Sequence, residues 1–369
     1  GKGGMLGPWS ISPEQIAALL DVRLLDNGDG TRSYDVSVDF AAFSAYLETM
    51  KPALVTAPQD ARFHFNDQTG QLEVIKPSQG GRALNVEKTL EQLEARVFST
   101  DERTVVMAFD YTLPRYHEGL TAQELGITQM VAESTTYFRG SQQNRRTNIA
   151  ISASRLDGVI LGPGEEFSFN TLIGEISPEN GFLEDKLIFG GRTINGVGGG
   201  VCQVSTTVFR AALYGGYTII ERNSHGYRVG YYEQNNQPPG LDAAIWSPER
   251  DFRFQNDTEH HLLLEVSIYP TDDSIQFRFY STPTGRTVNV EQPRVANLTP
   301  PKPTVYEANG DLQLGQEIWM DYPAEGADVN VTRTITYPDG TVKKDNFFTH
   351  YLPWGAIVQV ASTDPRLNQ

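Results

Sequence analysis

The run Gly198-Gly199-Gly200-Val201-Cys202-Gln203-Val204-Ser205-Thr206-Thr207 holds the only cysteine in 369 residues. Apolar residues at 204, 208, 212 and 213 predict a helix over 204–213, with the cysteine at its start. A thiol there sits at the positive end of the helix macrodipole, which lowers its pKa and enriches the nucleophilic thiolate. The three preceding glycines let backbone approach the thiol closely, which favours oxyanion donors and substrate access. Free cysteine is also among the most often buried residue types, so a structural reading of Cys202 stands beside the nucleophilic one.

A cysteine nucleophile needs a base and a group that orients it. Of six histidines, His225 in Glu221-Arg222-Asn223-Ser224-His225-Gly226 follows Cys202 by 23 residues. That is room for one helix, one turn and one strand to return the imidazole to the helix N-terminus. Asp242, in Gly240-Leu241-Asp242-Ala243-Ala244 at the start of the next predicted strand, is placed to hold the ring and its tautomer. A loop histidine and a turn carboxylate are the plain alternatives for these two. The order Cys, His, Asp, with the cysteine at a helix start and the histidine on a strand, is similar to that of papain-like and transglutaminase-like enzymes. No G-x-S-x-G elbow offers a serine nucleophile. Ser205 and Thr206, one turn into the helix, are expected to line the site or satisfy backbone groups. His260-His261 point to opposite faces of a strand, so no metal site is expected, and no cofactor is implied.

The net charge of −16 argues against a nucleic-acid partner. No apolar run reaches the 18 residues of a membrane span. The chain opens Gly1-Lys2-Gly3-Gly4 without Met, and the expectation is a trimmed form from which a signal or anchor has been removed. Membrane contact is expected only through such a segment. Oligomeric state is not legible.

Three regions are expected in a multidomain α+β chain. Residues 1–125 read as a small α+β module: Ser12 and Gln15 box a helix, Asp39 caps a helix to about residue 50, and 62–65 with 72–75 form a hairpin. Asn85 caps a further helix and 103–111 reads as a strand, an order suiting a split βαβ module. Residues 126–298 form a central α+β cysteine domain rich in β, with strands at 217–222, 227–232 and 243–246 and a hairpin at 262–269 and 275–280. After Pro300-Pro301-Lys302-Pro303, residues 299–369 read as a small all-β module.

The central region resembles the VanW family. The resemblance rests on Asn144-Arg145-Arg146-Thr147-Asn148-Ile149-Ala150 and Pro163-Gly164-Glu165-Glu166-Phe167-Ser168-Phe169-Asn170, then Gly198 to Thr207, His225, Gly240-Leu241-Asp242-Ala243 and Asn256-Asp257-Thr258. The usual His-Ser pair appears here as His225-Gly226. Residues 83–93 are similar to a peptidoglycan-binding module often found ahead of this family. Thr332 to Tyr337 and Tyr351-Leu352-Pro353 resemble small β adhesion modules of cell-wall proteins.

The resemblance implies an extracytoplasmic protein of the bacterial envelope whose partners are peptidoglycan stem peptides. It implies an L,D-transpeptidase-like acyl-transferase in which Cys202 is the nucleophile, His225 the base and Asp242 its orienter. Backbone amides from Gly200 to Gln203, or Gln203 itself, would hold the oxyanion. Arg145 and Asn148 would bind substrate carboxylates or pack, and Asn170 would line the site or form a turn. A wall-binding scaffold without catalysis, and a cysteine peptidase or amidase of wall peptides, are the alternatives.

Overall fold

The computed structural model describes residues 9–10, 12–101, 104–189 and 192–368, so Gly1-Lys2-Gly3-Gly4 and Arg103 lie outside the described residues. Helix makes up about 23% and strand about 39%, spread over several small sheets in a multidomain α+β arrangement. Two compact units form, one of residues 1–61 and 77–118, the other of 62–76 and 119–369.

In the first unit the Ser12–Gln15 capping box opens the helix Pro13–Ala17. Asp39 accepts from the amides of Ala41 and Ala42 at the start of the helix Phe40–Leu54, which runs on through Pro52. Asn85 caps the helix Val86–Arg96. These two longer helices enclose a small core of Phe43, Leu47, Leu54, Leu84 and Val86. The strands do not join into the expected split βαβ sheet. Among the described residues Leu20–Asp26 pairs with Arg32–Val38 alone, and Gly81–Leu84 pairs with Phe109–Thr112 and bridges Thr56 through Arg82. The strand expected over 103–111 is confined to Phe109–Thr112. Just before it, Ala108 donates to the Thr89 hydroxyl and accepts from the Asn85 amide, so this backbone is spent on the helix start instead of a ladder.

The hairpin of Arg62–Asn66 and Gln71–Lys76 belongs to the second unit. His64 Nε2 lies 2.9 Å from Asp157 Oδ1, and the Phe65 amide donates to the buried Glu265. The main sheet there runs Gln129–Tyr137, Ser274–Ser281, Leu262–Tyr269, Val159–Leu161, all antiparallel. Two helices, Gln143–Leu156 and Val201–Tyr214, share one core with it. Val204, Val208, Phe209, Ala211, Ala212 and Leu213 are all fully buried, so the second helix is enclosed on every side. Its core continues into the C-terminal strands: Val329 and Val331 of Gly326–Thr336 are fully buried in it, and Phe347 meets Phe209 edge-on at 5.9 Å. Arg333, 1% exposed, donates to the carbonyls of Leu213 and Tyr217, placing a cation at the negative end of the helix.

Two expected strands are not strands. Residues 227–232 lead into the 3-10 turn Gly230–Asn236: Tyr232 N–H bonds locally to the Val229 carbonyl, and its own carbonyl is taken by Arg210. Residues 243–246 make only isolated bridges, one of them from Ala244 N–H to the Asn223 carbonyl.

Residues 299–369 therefore share a core with the Cys202 helix. A chain ended at residue 298 strips Val329, Val331 and Phe347 from that core. It is expected to be insoluble or to lose its near-ultraviolet circular dichroism. A soluble 1–298 fragment with native signal and a cooperative thermal transition would show instead that the C-terminal strands fold as an independent module.

Candidate active site

Gly200 caps the helix Val201–Tyr214 at φ +109°, and a Cβ there would lie 2.9 Å from Arg145 Cγ. Only glycine admits both the left-handed backbone and this approach. Cys202 stands in the first helical turn, half-buried, and lines a cavity of about 1400 Å³. Arg145, His225, Tyr231, Tyr232 and Trp246 share that cavity.

The structure gathers the three predicted residues: His225 shares a cavity with Cys202 and touches Asp242. His225 lines the cavity beside the Cys202 thiol, whose own hydrogen goes to the Ile245 carbonyl at 3.9 Å. Its Nδ1 is 2.6 Å from Asp242 Oδ2, leaving Nε2 for the sulfur, and its backbone N–H donates to the same carboxylate oxygen at 2.7 Å. His225 lies in a loop beyond the strand Thr218–Glu221, not on a strand. Asp242 Oδ1 accepts from Tyr351 Oη at 2.5 Å and from Arg222 Nη2 at 3.1 Å. Asp242 is 2% exposed and His225 6% exposed, so the carboxylate charge is held by hydrogen bonds rather than by water.

The electrostatics follow. Burial alone pushes the Cys202 thiol up, but the hydrogen bond to His225, the imidazolium charge and the charge of Arg145 bring it below the ordinary thiol range. Burial pulls His225 down, yet its bonds to Asp242 and Cys202 and their charges push it up to about 9. Burial would raise Asp242; the hydrogen bond and charge of His225, then Arg222 and Tyr351, hold it well below the carboxylate range. The coupling moves the pair toward thiolate and imidazolium relative to the free side chains.

The other candidate residues divide. Arg145 lines the cavity with its guanidinium 4.3 Å over the Tyr231 ring. It is held by neutral partners, Nε donating to Ser141 Oγ and Nη2 to Gln203 Oε1. Gln203 is fully buried, and its amide group is spent on Arg145, Thr136 and the Tyr137 carbonyl. Its side chain therefore braces Arg145 and does not face the cavity. Asn148 is fully buried and donates to the carbonyls of Leu183 and Gly199, fixing the glycine run. Ser205 and Thr206, also buried, bind the Ala243 backbone and tie the helix to the segment after Asp242. Asn170 bonds Asp251 and the Arg250 carbonyl, a loop anchor outside the cavity lining. Among the described residues no cluster of histidine, cysteine and carboxylate groups is placed to hold a metal.

Sequence reasoning passed over Arg222, Tyr351 and Arg210. Arg222 also bonds the carbonyls of Gly240 and Asp242. Arg210, 1% exposed, clamps the loop between His225 and Asp242 through the carbonyls of Tyr232 and Leu241. A lone arginine inside the apolar helix pattern was the available signal for Arg210. Tyr351 carries none.

A half-buried cysteine at a helix N-terminus, sharing a cavity with an imidazole that is bonded to a buried carboxylate, is the site that this α+β chain presents. The chain belongs to the VanW family. The family described as "VanW like protein" matches residues 144–280, and that described as "Putative peptidoglycan binding domain" matches 20–106. The uncharacterized protein YoaR of Bacillus subtilis is 30% identical over 232 residues, which are 63% of this chain and 72% of YoaR. The vancomycin B-type resistance protein VanW of Enterococcus faecalis is 30% identical over 118 residues, 32% of this chain and 43% of that protein. These matches associate the chain with peptidoglycan and the cell envelope.

Cys202 is expected to react with iodoacetamide well below pH 8.5, the ordinary thiol midpoint being about that value. Asp242→Asn removes the charge that raises His225, so the imidazolium is lost at lower pH and the thiol moves back up. Alkylation at pH 7 should then slow by roughly tenfold. Equal rates for the folded variant and wild type across neutral pH would rule out the coupling.

Proposed function

We propose that the protein is a cysteine acyl-transferase of peptidoglycan, of the L,D-transpeptidase kind. The observation that carries this reading is the Cys202–His225–Asp242 line opening into the large cavity beside Arg145. The Cys202 thiolate attacks the carbonyl of the diaminopimelate residue that precedes a terminal D-alanine in a stem peptide. The first-turn amides take the developing oxyanion. Val201 N–H is bonded to the Gly198 carbonyl and Gln203 N–H to the Gly200 carbonyl, so the amides of Gly200 and Cys202 itself are assigned this task. The tetrahedral intermediate collapses to a thioester as the C–N bond breaks, and the His225 imidazolium protonates the departing amine of D-alanine. A side-chain amine of a second stem then attacks the thioester. His225 takes its proton, an amide crosslink forms and the thiolate is released.

Arg145 fits the carboxylate of the leaving D-alanine. Its cation stands in the cavity with neutral partners, close enough to the thiol to lower its pKa. Arg145→Gln is expected to raise KM for a tetrapeptide by about tenfold while barely changing KM for the same peptide ending in a carboxamide, since a charge-assisted hydrogen bond is worth roughly 1.5–3 kcal/mol. An equal loss on both peptides would take carboxylate recognition away from Arg145.

Intact-protein mass spectrometry with tetrapeptide muropeptides tests the reaction. Wild type should gain an adduct at Cys202 with release of D-alanine and a dimeric product, and Cys202→Ala should show none of these. An adduct with only shortened monomers would make the protein a hydrolase. No adduct and no labelling of Cys202 by a thiol reagent would leave a wall-binding protein without catalysis.

A further inference from the structure

Tyr351 lies at the end of the strand Val342–Tyr351, 109 residues after Asp242 and outside the residues matched by the VanW family. Its ring is 3% exposed. Its hydroxyl is fixed from both sides, accepting from Gly240 N–H at 3.1 Å and donating to Asp242 Oδ1 at 2.5 Å. The Gly240 end of this contact is set by the same C-terminal sheet. Gly240 has φ +82°, and a Cβ on it would lie 2.5 Å from Val329 Cγ1, so the Gly240-Leu241-Asp242 turn fits against that strand only as glycine.

We propose that Tyr351 is a positioning residue for His225, its hydroxyl setting how strongly Asp242 holds the imidazole proton. The proposal rests on the reading of Cys202 and His225 as the catalytic pair. The two oxygens of Asp242 have separate partners: Oδ2 takes both donors of His225, and Oδ1 takes Tyr351 and Arg222. Charge drawn toward Oδ1 is withdrawn from Oδ2, so each donor on Oδ1 weakens the grip on Nδ1–H. A grip too strong would keep the imidazolium from giving its proton to the leaving amine. Tyr351 is suited to this moderating part because it stays a donor: burial and the Asp242 charge hold its phenol protonated far above the tyrosine range. Arg222 cannot substitute freely, because the same guanidinium is pinned to the Gly240 and Asp242 carbonyls and to Thr349 Oγ1.

The groups facing this chain of contacts are few. Cys202 and Tyr232 face His225, Arg222 and Arg210 act on Asp242, and Arg228 acts on Tyr351. Tyr232 and Tyr351 stay protonated and the arginines stay charged, so a His225 titration, with Cys202 followed separately by alkylation, reports the Asp242–His225 contact.

Tyr351→Phe keeps the ring and removes the donor. In protein labelled at histidine, the His225 nuclear magnetic resonance titration midpoint is expected to rise by roughly half a pH unit, the worth of one net hydrogen bond. Iodoacetamide should still label Cys202. The alkaline limb of the acylation rate should follow the midpoint upward, with kcat lowered and KM little changed. Placing 3-fluorotyrosine at 351 strengthens the donor and should move the midpoint down; this variant keeps the test open if Tyr351→Phe does not fold. A midpoint unmoved in a folded variant, or moved in the opposite direction, would make Tyr351 a packing residue and overturn the proposal. Titration and alkylation need no muropeptide, so a shifted midpoint without any peptide transfer would uphold the positioning role while removing the acyl-transfer reading.

Discussion

The buried carboxylate of Asp242 is the interaction on which the site depends. A charge at 2% exposure is costly unless hydrogen bonds replace its water. Asp242 accepts four, from His225 N–H and Nδ1, Arg222 and Tyr351. Those donors come from the loop after Thr218–Glu221 and from the last long strand of the chain. The carboxylate gathers distant segments because each supplies part of what its ionisation requires. Its charge in turn raises His225, and His225 lowers Cys202, so the titration of the thiol is coupled to a carboxylate two groups away from it.

The helix Val201–Tyr214 carries that arrangement because both of its ends are fixed. At the start, Gly200 lets Arg145 approach, and Asn148 holds the Gly199 carbonyl. At the finish, Arg333 takes the Leu213 carbonyl. Between them, Ser205 and Thr206 bind Ala243, and Arg210 binds Leu241, so successive turns of the helix hold the segment around Asp242. A helix so enclosed has little freedom to move its first turn, and that is where the thiol sits.

Much of this was legible in the sequence, for local reasons. The cysteine motif, the capped helices and the Leu262–Tyr269 hairpin announce themselves through glycine, capping side chains and apolar period. His225 and Asp242 could be singled out by residue type and spacing, and the structure shows their contact. Their chemical parts are the proposal made above. The expected strand over 227–232 failed because Tyr227, Tyr231 and Tyr232 serve a cavity wall and the Tyr232 carbonyl is gripped by Arg210, not by a ladder. Gln203 invited an oxyanion role from its place beside the cysteine, yet helical geometry turns it inward to Arg145. Tyr351 was hidden for a different reason: it acts through a contact spanning 109 residues, and no local pattern encodes that.

The C-terminal strands change what a boundary means in this chain. Read by composition, the proline run at 300–303 looks like a linker to an appendage. Physically, the segment beyond it covers Phe209 with Phe347, caps the cysteine helix with Arg333, presses Val329 against Gly240 and gives Asp242 a donor. Residues from Met320 to Glu325 also line the cavity, and Lys186 in the hairpin of Glu184–Phe189 and Arg192–Val197 donates to the Trp319 and Met320 carbonyls. A linker sequence records where the backbone could part, whereas the buried contacts decide whether it does. Here the same strands that complete the core also complete the hydrogen bonds of the buried charge. The core and the buried charge therefore depend on the same C-terminal segment.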